Sequence, residues 1–357
     1  MLQNRKIKIV TLFLLILFVA AAMVACGGQK GAEQPKEQAP QKEAAQEKIV
    51  FKMVGTLPIQ HHVTKASEVF KSAIEKNSNG KIEVQFYPAQ QLYNDKDVVN
   101  VLPKGSVEMA VFQTDFWPGL VPSLSAIFFP TYYSGVDHLW AIIEGEPGKI
   151  IAQDFEEKAN CKILGWLDYG DVELLSKKPV KKLEDFKGLR VRSPGENCSV
   201  WLKAVGAAPV TMSSGEAYQA LQRGTVDGVM SGPTSFLERK WYEVAKNMTE
   251  YPIQPGGIFG IGINLDIWKK LSPDLQNVLQ EAAKEAREYN KKVCADENKR
   301  VREELKKLGV TANPISEEEQ ARWRAKGVPA LIENYKQRVG AEKAQKILDA
   351  AEALRKK

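Results

Sequence analysis

A stretch of 34 residues without glycine or proline, residues 275–308, constrains the architecture more than any other feature of this 357-residue sequence. Ser272 is a good N-cap, Pro273 suits the first helical position, and Gly309 supplies a stop. A helix of this length is a rod of roughly 50 Å. Such a rod exceeds the diameter of one small domain, so the pattern favours a helix that spans two domains. A coiled coil is the alternative, although the apolar positions keep no strict heptad.

Upstream of this helix, β-rich runs alternate with amphipathic segments. This alternation predicts an α/β fold with a mostly parallel sheet and helices on its faces. The predicted strands are residues 49–54, 81–87, 107–112, 161–167, 189–192, 208–211 and 226–229. The predicted helices are residues 63–77, 95–102, 136–158, 199–205 and 215–223.

The N-terminal segment has the pattern of an export signal. A basic start precedes an apolar run over residues 9–24, and Cys26 follows small residues at the end of that run. We therefore expect residues 1–25 to be a lipoprotein signal peptide and Cys26 to be the site of lipid attachment. The protein would then be extracytoplasmic and anchored to the membrane, either in the periplasm or on the outer face of the cytoplasmic membrane. A retained membrane helix is the alternative, but the run is shorter than the ~20 residues needed to span a bilayer.

The composition after Cys26 separates a tether from a folded part. Residues 26–48 are rich in Gln, Glu, Lys, Ala and Pro and predict a disordered tether. The remaining chain is long enough for two hydrophobic cores. The net charge of the whole chain is +6, and three of those cations belong to the predicted signal peptide, which leaves +3. Both signs are interspersed, a pattern that argues against nucleic-acid binding.

Cysteine and histidine are too sparse to predict a metal site. Cys161, Cys198 and Cys294 form an odd set without a CxxC motif, so one disulfide or three free thiols both stay open. His61 lies next to a second histidine, and only one more occurs in the chain. We therefore predict neither a metal nor another cofactor.

Polar and aromatic residues lie at or just after the ends of three of the predicted strands. In open α/β domains, ligands bind beyond the carboxyl ends of strands. These residues are therefore candidates for a ligand cleft, as wall or as orienting groups: Gln60, His61, Gln113, Asp115, Trp117, Trp166 and Tyr169.

An enzyme is the main alternative from another functional class. The sequence contains no GxSxG, P-loop, HExxH or GxGxxG motif in the required context. Residues 257–262 are rich in glycine, but their spacing is reversed and they lead into a strand-like run. We therefore predict a protein that is not an enzyme.

Three spaced motifs resemble a known family. Residues 185–194 read D-F-K-G-L-R-V-R-S-P, residues 205–210 read V-G-A-A-P-V, and residues 216–228 read E-A-Y-Q-A-L-Q-R-G-T-V-D-G. These motifs resemble the solute-binding subunits of TRAP transporters, the C4-dicarboxylate-binding type. The resemblance covers nearly all of residues 49–357.

The resemblance implies a two-lobed α/β fold, similar to periplasmic binding proteins, with a long helix spanning both lobes. We expect lobe I to comprise residues 49–169 plus about 258–297, and lobe II residues 170–257 plus about 298–357. It also implies closure of the cleft on a small organic acid and delivery of that acid to the TRAP membrane subunits. A sensing or structural surface lipoprotein with the same fold is the alternative.

The resemblance also implies a ligand anchor at Arg192. A guanidinium offers a planar fork that binds a carboxylate through two hydrogen bonds and keeps its charge. Many relatives carry a second arginine about twenty residues earlier, but residues 169–174 contain none. A cleft with one cation fewer would favour a monocarboxylate, such as a keto acid, a hydroxy acid or an amino acid.

Four further positions are candidates for contact with the ligand. Ser231 and Gly232 stand where relatives often present an asparagine, and Ser214 stands where some carry an aromatic residue. Glu173 could meet an amine of the ligand, although a solvated loop acid is the alternative for it.

Overall fold

The computed structural model describes residues 48–355. The predicted signal peptide, Cys26 and all but the last residue of the predicted tether lie outside the described residues. Within the described part, no helix combines the length and the apolar composition that crossing a bilayer requires.

The strands of the described chain form one continuous hydrogen-bonded ladder that branches at β4. They are β1 Ile49–Gly55, β2 Ile82–Tyr87, β3 Met109–Gln113, β4 Cys161–Ser176, β5 Arg190–Ser193, β6 Ala208–Thr211, β7 Gly228–Ser231, β8 Asn247–Glu250, β9 Gln254–Asn264 and β10 Thr311–Pro314.

The helices pack on both ends of this ladder. They are α1 His62–Asn77, α2 Asp95–Val101, α3 Val136–Glu144, α4 Glu146–Ala159, α5 Glu196–Ala204, α6 Ala217–Gln222, α7 Pro233–Glu238, α8 Leu265–Lys270, α9 Pro273–Lys307, α10 Glu317–Val339 and α11 Ala341–Ala353.

The order of the strands divides the ladder into two sheets that share β4. The order is β2-β1-β3-β9-β4-β7-β5-β6, and β8 joins β4 to β10. Every antiparallel pair involves β4 or β9, while the remaining pairs are parallel. We call the half built on β1, β2, β3 and β9 the first lobe, and the half built on β5, β6, β7, β8 and β10 the second lobe. The expected two-lobed α/β fold is confirmed, whereas the residue boundaries of the lobes stay a prediction.

Helix α9 belongs to both lobes. It has 35 residues, or about 52 Å, and Ser272 Oγ accepts from the backbone N–H of Leu275 at its start. Leu279 and Ala286 lie in the core that extends through the first lobe, and Val301 and Leu305 lie in a separate core of the second lobe. The predicted spanning helix is therefore present.

Strand β4 crosses between the lobes beneath α9. Asn290 of this helix is fully buried; its Oδ1 accepts from Asp168 N at 2.6 Å and its Nδ2 donates to Asp168 O at 3.0 Å. The pairing of β4 with β9 shifts register on both sides of Gly170, which has a φ of +87°. This conformation suits glycine and bends the strand at the crossing.

Several predicted bounds differ from the structure. The predicted strand 161–167 continues to Ser176, because its polar and glycine-containing second half crosses between the lobes instead of forming a loop. The predicted helix 136–158 is interrupted at Gly145, which precedes Pro147 in the first turn of α4. Pro147 lacks a backbone N–H and favours a helix start, so two helices form.

The glycine-rich run in β9 serves packing. A Cβ atom at Gly260 would lie 2.5 Å from Phe112 Cζ, and one at Gly262 would lie 2.9 Å from Phe112 Cε1. These glycines therefore let the Phe112 ring lie against the strand.

Candidate functional site

Arg192 occupies the middle of the second sheet and points into the protein. Strand β5 lies between β6 and β7, and the Arg192 side chain is 1% exposed. Its Nε donates to Met212 O and its Nη1 to Met230 O, both at 3.1 Å. Its Nη2 is buried without a hydrogen-bond partner. Two backbone carbonyls thus orient the guanidinium and leave the two N–H groups of Nη2 for another group.

Tyr169 connects the crossing strand to the second lobe. Its hydroxyl donates to Ser235 Oγ at 2.7 Å, lies 2.8 Å from Ser231 Oγ and accepts from the backbone N–H of Gly232 at 3.0 Å. A Cβ atom at Gly232 would lie 2.7 Å from Tyr169 Cε1. The absence of a side chain at Gly232 is therefore what admits the tyrosine ring.

Asp95 and Ser214 join the lobes directly. Asp95 begins α2 in the first lobe, and Ser214 follows β6 in the second. Asp95 Oδ2 accepts from the backbone N–H of Ser214 at 2.9 Å and from its hydroxyl at 2.7 Å. The Gln90 amide donates to the same carboxylate oxygen at 3.1 Å and to Ser214 Oγ at 2.9 Å. These contacts hold the two lobes against each other.

A small cavity of about 10 Å³ lies between the lobes. This volume is close to that of a single water molecule, so the lobes are closed on each other. Polar groups from both lobes and from β4 face it. Its lining includes Gln113, Asp115, Phe128, Tyr169, Ser231 and Phe259.

Asp115 is a buried carboxyl in the wall of this cavity. Its Oδ2 accepts from Gln113 Nε2 at 2.7 Å, while its Oδ1 has no hydrogen-bond partner. Burial raises the pKa of Asp115 to about 7, although Gln113 and the charge of Arg192 act against the rise. Close approach of the lobes at this point depends on Gly195, since a Cβ atom there would lie 2.1 Å from Asp115 O.

His61 lies at the same junction. It is fully buried, and its ring stacks on that of Tyr169 at a centroid distance of 5.1 Å. His61 Nδ1 accepts from the backbone N–H of Val63 at 3.3 Å, which assigns the proton of the neutral ring to Nε2. Burial, the neighbouring His62 and the charge of Arg239 hold the pKa of His61 well below its ordinary value. His61 Nε2 has no hydrogen-bond partner.

Three of the predicted cleft residues lie elsewhere. Gln60 is exposed in the turn before α1, where it contributes nothing to the enclosed space. Trp117 is fully buried and packs on Phe112 and Phe155 in the core of the first lobe. Trp166 is half-buried in β4 opposite Gly260, and its ring lies edge-on to Phe155. The expectation that ligands bind beyond the carboxyl ends of strands (the strand-end rule) selected these positions, but their side chains pack in the first lobe or face solvent.

Glu173 is neither a solvated loop acid nor a group at the cavity. It lies in β4 opposite Ser231, its side chain is fully buried, and Arg302 Nη2 of α9 lies 2.5 Å from its Oε1. Arg302 also pairs with Asp171 at 3.0 Å. Glu173 thus ties the crossing strand to the long helix.

Glu173 should make the unfolding free energy depend on pH. Burial raises the pKa of Glu173 to about 7, with Arg302 acting against the rise. The unfolded value is about 4.3, so the folded state binds the proton more tightly. This tighter proton binding stabilises the folded state in full below pH 4, and the stabilisation is lost as the pH rises to 7. In urea titrations, the unfolding free energy of the parent should fall relative to that of Glu173→Gln by on the order of 2 kcal/mol as the pH rises from 5 to 8.

Glu288→Gln, an exposed position on the same helix as Arg302, is the matched control. It should follow the parent at every pH. A constant difference between Glu173→Gln and the parent would contradict the assigned titration.

The three cysteines in the described part of the chain, Cys161, Cys198 and Cys294, are free and buried. Cys161 and Cys198 lie in different lobes, and Cys294 lies on α9. Among residues 48–355, no group of three or more His, Cys, Asp or Glu side chains is arranged to hold a metal ion.

Several residues of the junction were absent from the sequence prediction. Asp95, Gln90, Thr56, Ser235 and Arg239 contact partners from the other lobe or from β4. Asp95 and Thr56 follow strands of the first lobe, a position that the strand-end rule could have included. Ser235 and Arg239 are one helical turn apart, but the sequence predicts no helix at α7 and therefore offers no reason to place them on the same face.

Two α/β lobes closed around a buried guanidinium define a two-lobed solute-binding protein. Residues 53–338 match the model of a protein family described as "Bacterial extracellular solute-binding protein, family 7". The chain therefore belongs to that family.

Relatives and solved structures agree with this assignment. The C4-dicarboxylate-binding periplasmic protein DctP of Rhodobacter capsulatus is 29% identical over 304 residues, 84% of this chain and 90% of that protein. A TRAP periplasmic solute-binding protein of Desulfovibrio desulfuricans with bound sn-glycerol-3-phosphate superposes with a TM-score of 0.81 at 26% identity, covering 86% and 98% of the two chains. A TRAP periplasmic solute-binding protein of Pseudomonas putida with bound D-glucuronate superposes with a TM-score of 0.77 at 25% identity. The match covers 84% of this chain and 96% of that chain.

Proposed function

We propose that this protein is the lipid-anchored, extracytoplasmic solute-binding subunit of a TRAP-type secondary transporter. It captures a small organic acid between its lobes and delivers it to the membrane subunits. The Arg192 guanidinium is the main support for this proposal, because it is buried and its Nη2 has no hydrogen-bond partner. A buried cation of this kind favours an anionic partner, and a carboxylate fits its fork.

Capture requires the lobes to open and close. A cavity of about 10 Å³ holds no organic acid, so the ligand enters an open arrangement and the lobes close around it. The contacts between Asp95 and Ser214 exist only when the lobes meet. They therefore contribute to the closed state, which the ligand favours by binding to groups of both lobes.

Ligand binding should raise the melting temperature of the purified protein. The screen contains small monocarboxylates, dicarboxylates, sugar acids and amino acids, each added well above micromolar concentration. An acid present at 100 times its Kd stabilises the folded state by about 2.7 kcal/mol. Uncharged analogues of the same acids, such as their amides, are the control and should leave the melting temperature unchanged. Equal shifts with acids and amides would contradict recognition of a carboxylate.

The anchor and the transport role need separate tests. The lipid anchor is supported by the signal pattern that ends at Cys26, so Cys26→Ser should move the protein from the membrane fraction to the soluble fraction. Reconstitution with TRAP membrane subunits should give uptake of the acid found in the screen. Binding of that acid without uptake would instead favour the sensing alternative.

A further inference from the structure

Arg239 places a second guanidinium at the junction of the lobes. It follows α7 in the second lobe, one helical turn after Ser235, and its Nη2 donates to Thr56 O of the first lobe at 2.8 Å. Its Nε is buried without a hydrogen-bond partner. The Arg239 side chain is thus held through one nitrogen and presents another, whereas Arg192 is held through two nitrogens and presents the third.

Both guanidinium groups adjoin segments of the second lobe that the Tyr169 hydroxyl contacts. Tyr169 contacts Ser235, one turn before Arg239, and Ser231, next to the carbonyl of Met230 that Arg192 binds. Arg192 and Arg239 are also electrostatic neighbours, since the charge of Asp95 acts on both and the charge of Arg239 acts on Arg192. The arginine that the motif comparison finds missing before Arg192 is therefore matched by one that follows it.

His61 adds a third donor on the Arg239 side. Its Nε2–H has no hydrogen-bond partner, and the charge of Arg239 acts on its ring. Three buried donor atoms near Tyr169 thus have no hydrogen-bond partner: Arg192 Nη2, Arg239 Nε and His61 Nε2. Buried donors of this kind need acceptors, because leaving them unpaired costs free energy.

The formal charges limit what the second acceptor can be. Arg192 and Arg239 contribute two positive charges and Asp95 one negative charge, so the set carries +1 at a pH where Asp115 and Glu238, both with a pKa raised to about 7, are protonated. A ligand with one carboxylate neutralises this excess, whereas a dicarboxylate leaves a buried negative charge. Asp115, whose pKa is about 7, adds further negative charge as the pH rises.

We propose that Arg239 and His61 form a second ligand subsite, which binds an uncharged oxygen acceptor at the end of the ligand remote from the carboxylate on Arg192. This inference rests on the proposed function and specifies its ligand class. The ligand is a monocarboxylate with a hydroxyl or carbonyl oxygen several carbons away from the carboxylate.

Calorimetry with two sets of acids of equal chain length tests the subsite. The five-carbon set is pentanoate, 4-oxopentanoate and pentanedioate, and the six-carbon set is hexanoate, galactonate and galactarate. In at least one set the parent should bind the acid with uncharged oxygens about tenfold or more tighter than the other two members. Arg239→Met should reduce this preference to about threefold or less and leave the affinity for the unsubstituted acid nearly unchanged.

Arg239→Lys and Arg190→Met complete the design. A lysine can reach Thr56 O or the ligand but offers no fork, so it should lose most of the preference as well. Arg190 is exposed on β5 and paired with Asp227, so Arg190→Met should bind as the parent does.

The outcomes separate the subsite from the function. Equal weakening of all members by Arg239→Met would mean that Arg239 only supports lobe closure, and would overturn the subsite. A preference of the parent for the diacids would also overturn it, as would failure of all six acids to bind. Binding that survives removal of Arg192 would instead overturn the proposed function.

Discussion

Arg192→Ala should bind the organic acid about 30- to several-thousandfold more weakly than the parent protein. Removing one partner of a buried, hydrogen-bonded charge pair costs about 2–5 kcal/mol. Arg192 meets these conditions, because it is 1% exposed and two backbone carbonyls fix its orientation. Isothermal titration calorimetry with the acid that gives the largest thermal shift measures the change.

Arg190→Ala is the matched control for this variant. Arg190 lies two residues away on the same strand, but its guanidinium is exposed and pairs with Asp227. It should bind with the affinity of the parent. Equal affinity of Arg192→Ala and the parent would remove Arg192 as the anchor, provided that circular dichroism shows both to be folded.

Asp95→Ala should weaken binding about 10- to 100-fold without removing any contact between Arg192 and the ligand. Asp95 accepts three hydrogen bonds at one carboxylate oxygen, and two of them come from Ser214 of the other lobe. Hydrogen bonds to charged groups contribute about 1.5–3 kcal/mol. Their loss lowers the population of the closed state, and the apparent affinity falls by the same factor.

Two variants control for this interpretation. Asp97→Ala changes an exposed carboxylate in the same helix and should bind normally. Ser214→Ala removes the hydroxyl but keeps the backbone N–H, so its effect should be smaller than that of Asp95→Ala. Small-angle scattering should show the ligand-free Asp95→Ala protein to be more extended than the parent. A compact variant with reduced affinity would instead mean that Asp95 binds the ligand itself.

The sequence predicts the fold largely because its strongest signals are local. The cap at Ser272 and the absence of helix breakers define α9, and alternation of apolar residues defines β2. The sequence does not predict the second half of β4 as a strand, because this segment bends between the lobes and pairs with strands that are distant in sequence. No local pattern distinguishes such a segment from a loop.

The site is predicted only in part for a related reason. Arg192 is predicted as a site residue because a motif surrounds it, and His61 and Asp115 are predicted because they follow strands; the structure buries all three where the lobes meet. Arg239 belongs to no motif, and its importance depends on contact with Thr56, 183 residues earlier in the chain. Glu173 is misjudged because its partner, Arg302, lies on a helix more than a hundred residues away.

The shared helix also determines how the protein should come apart on heating. Leu279 and Ala286 belong to one hydrophobic core, and Val301 and Leu305 belong to the other. The first of these cores also includes Val191 and Trp201 of the second lobe, so neither lobe can unfold without exposing part of a core that the other lobe still needs. The two lobes, although they move relative to each other during ligand capture, should therefore melt in a single cooperative transition.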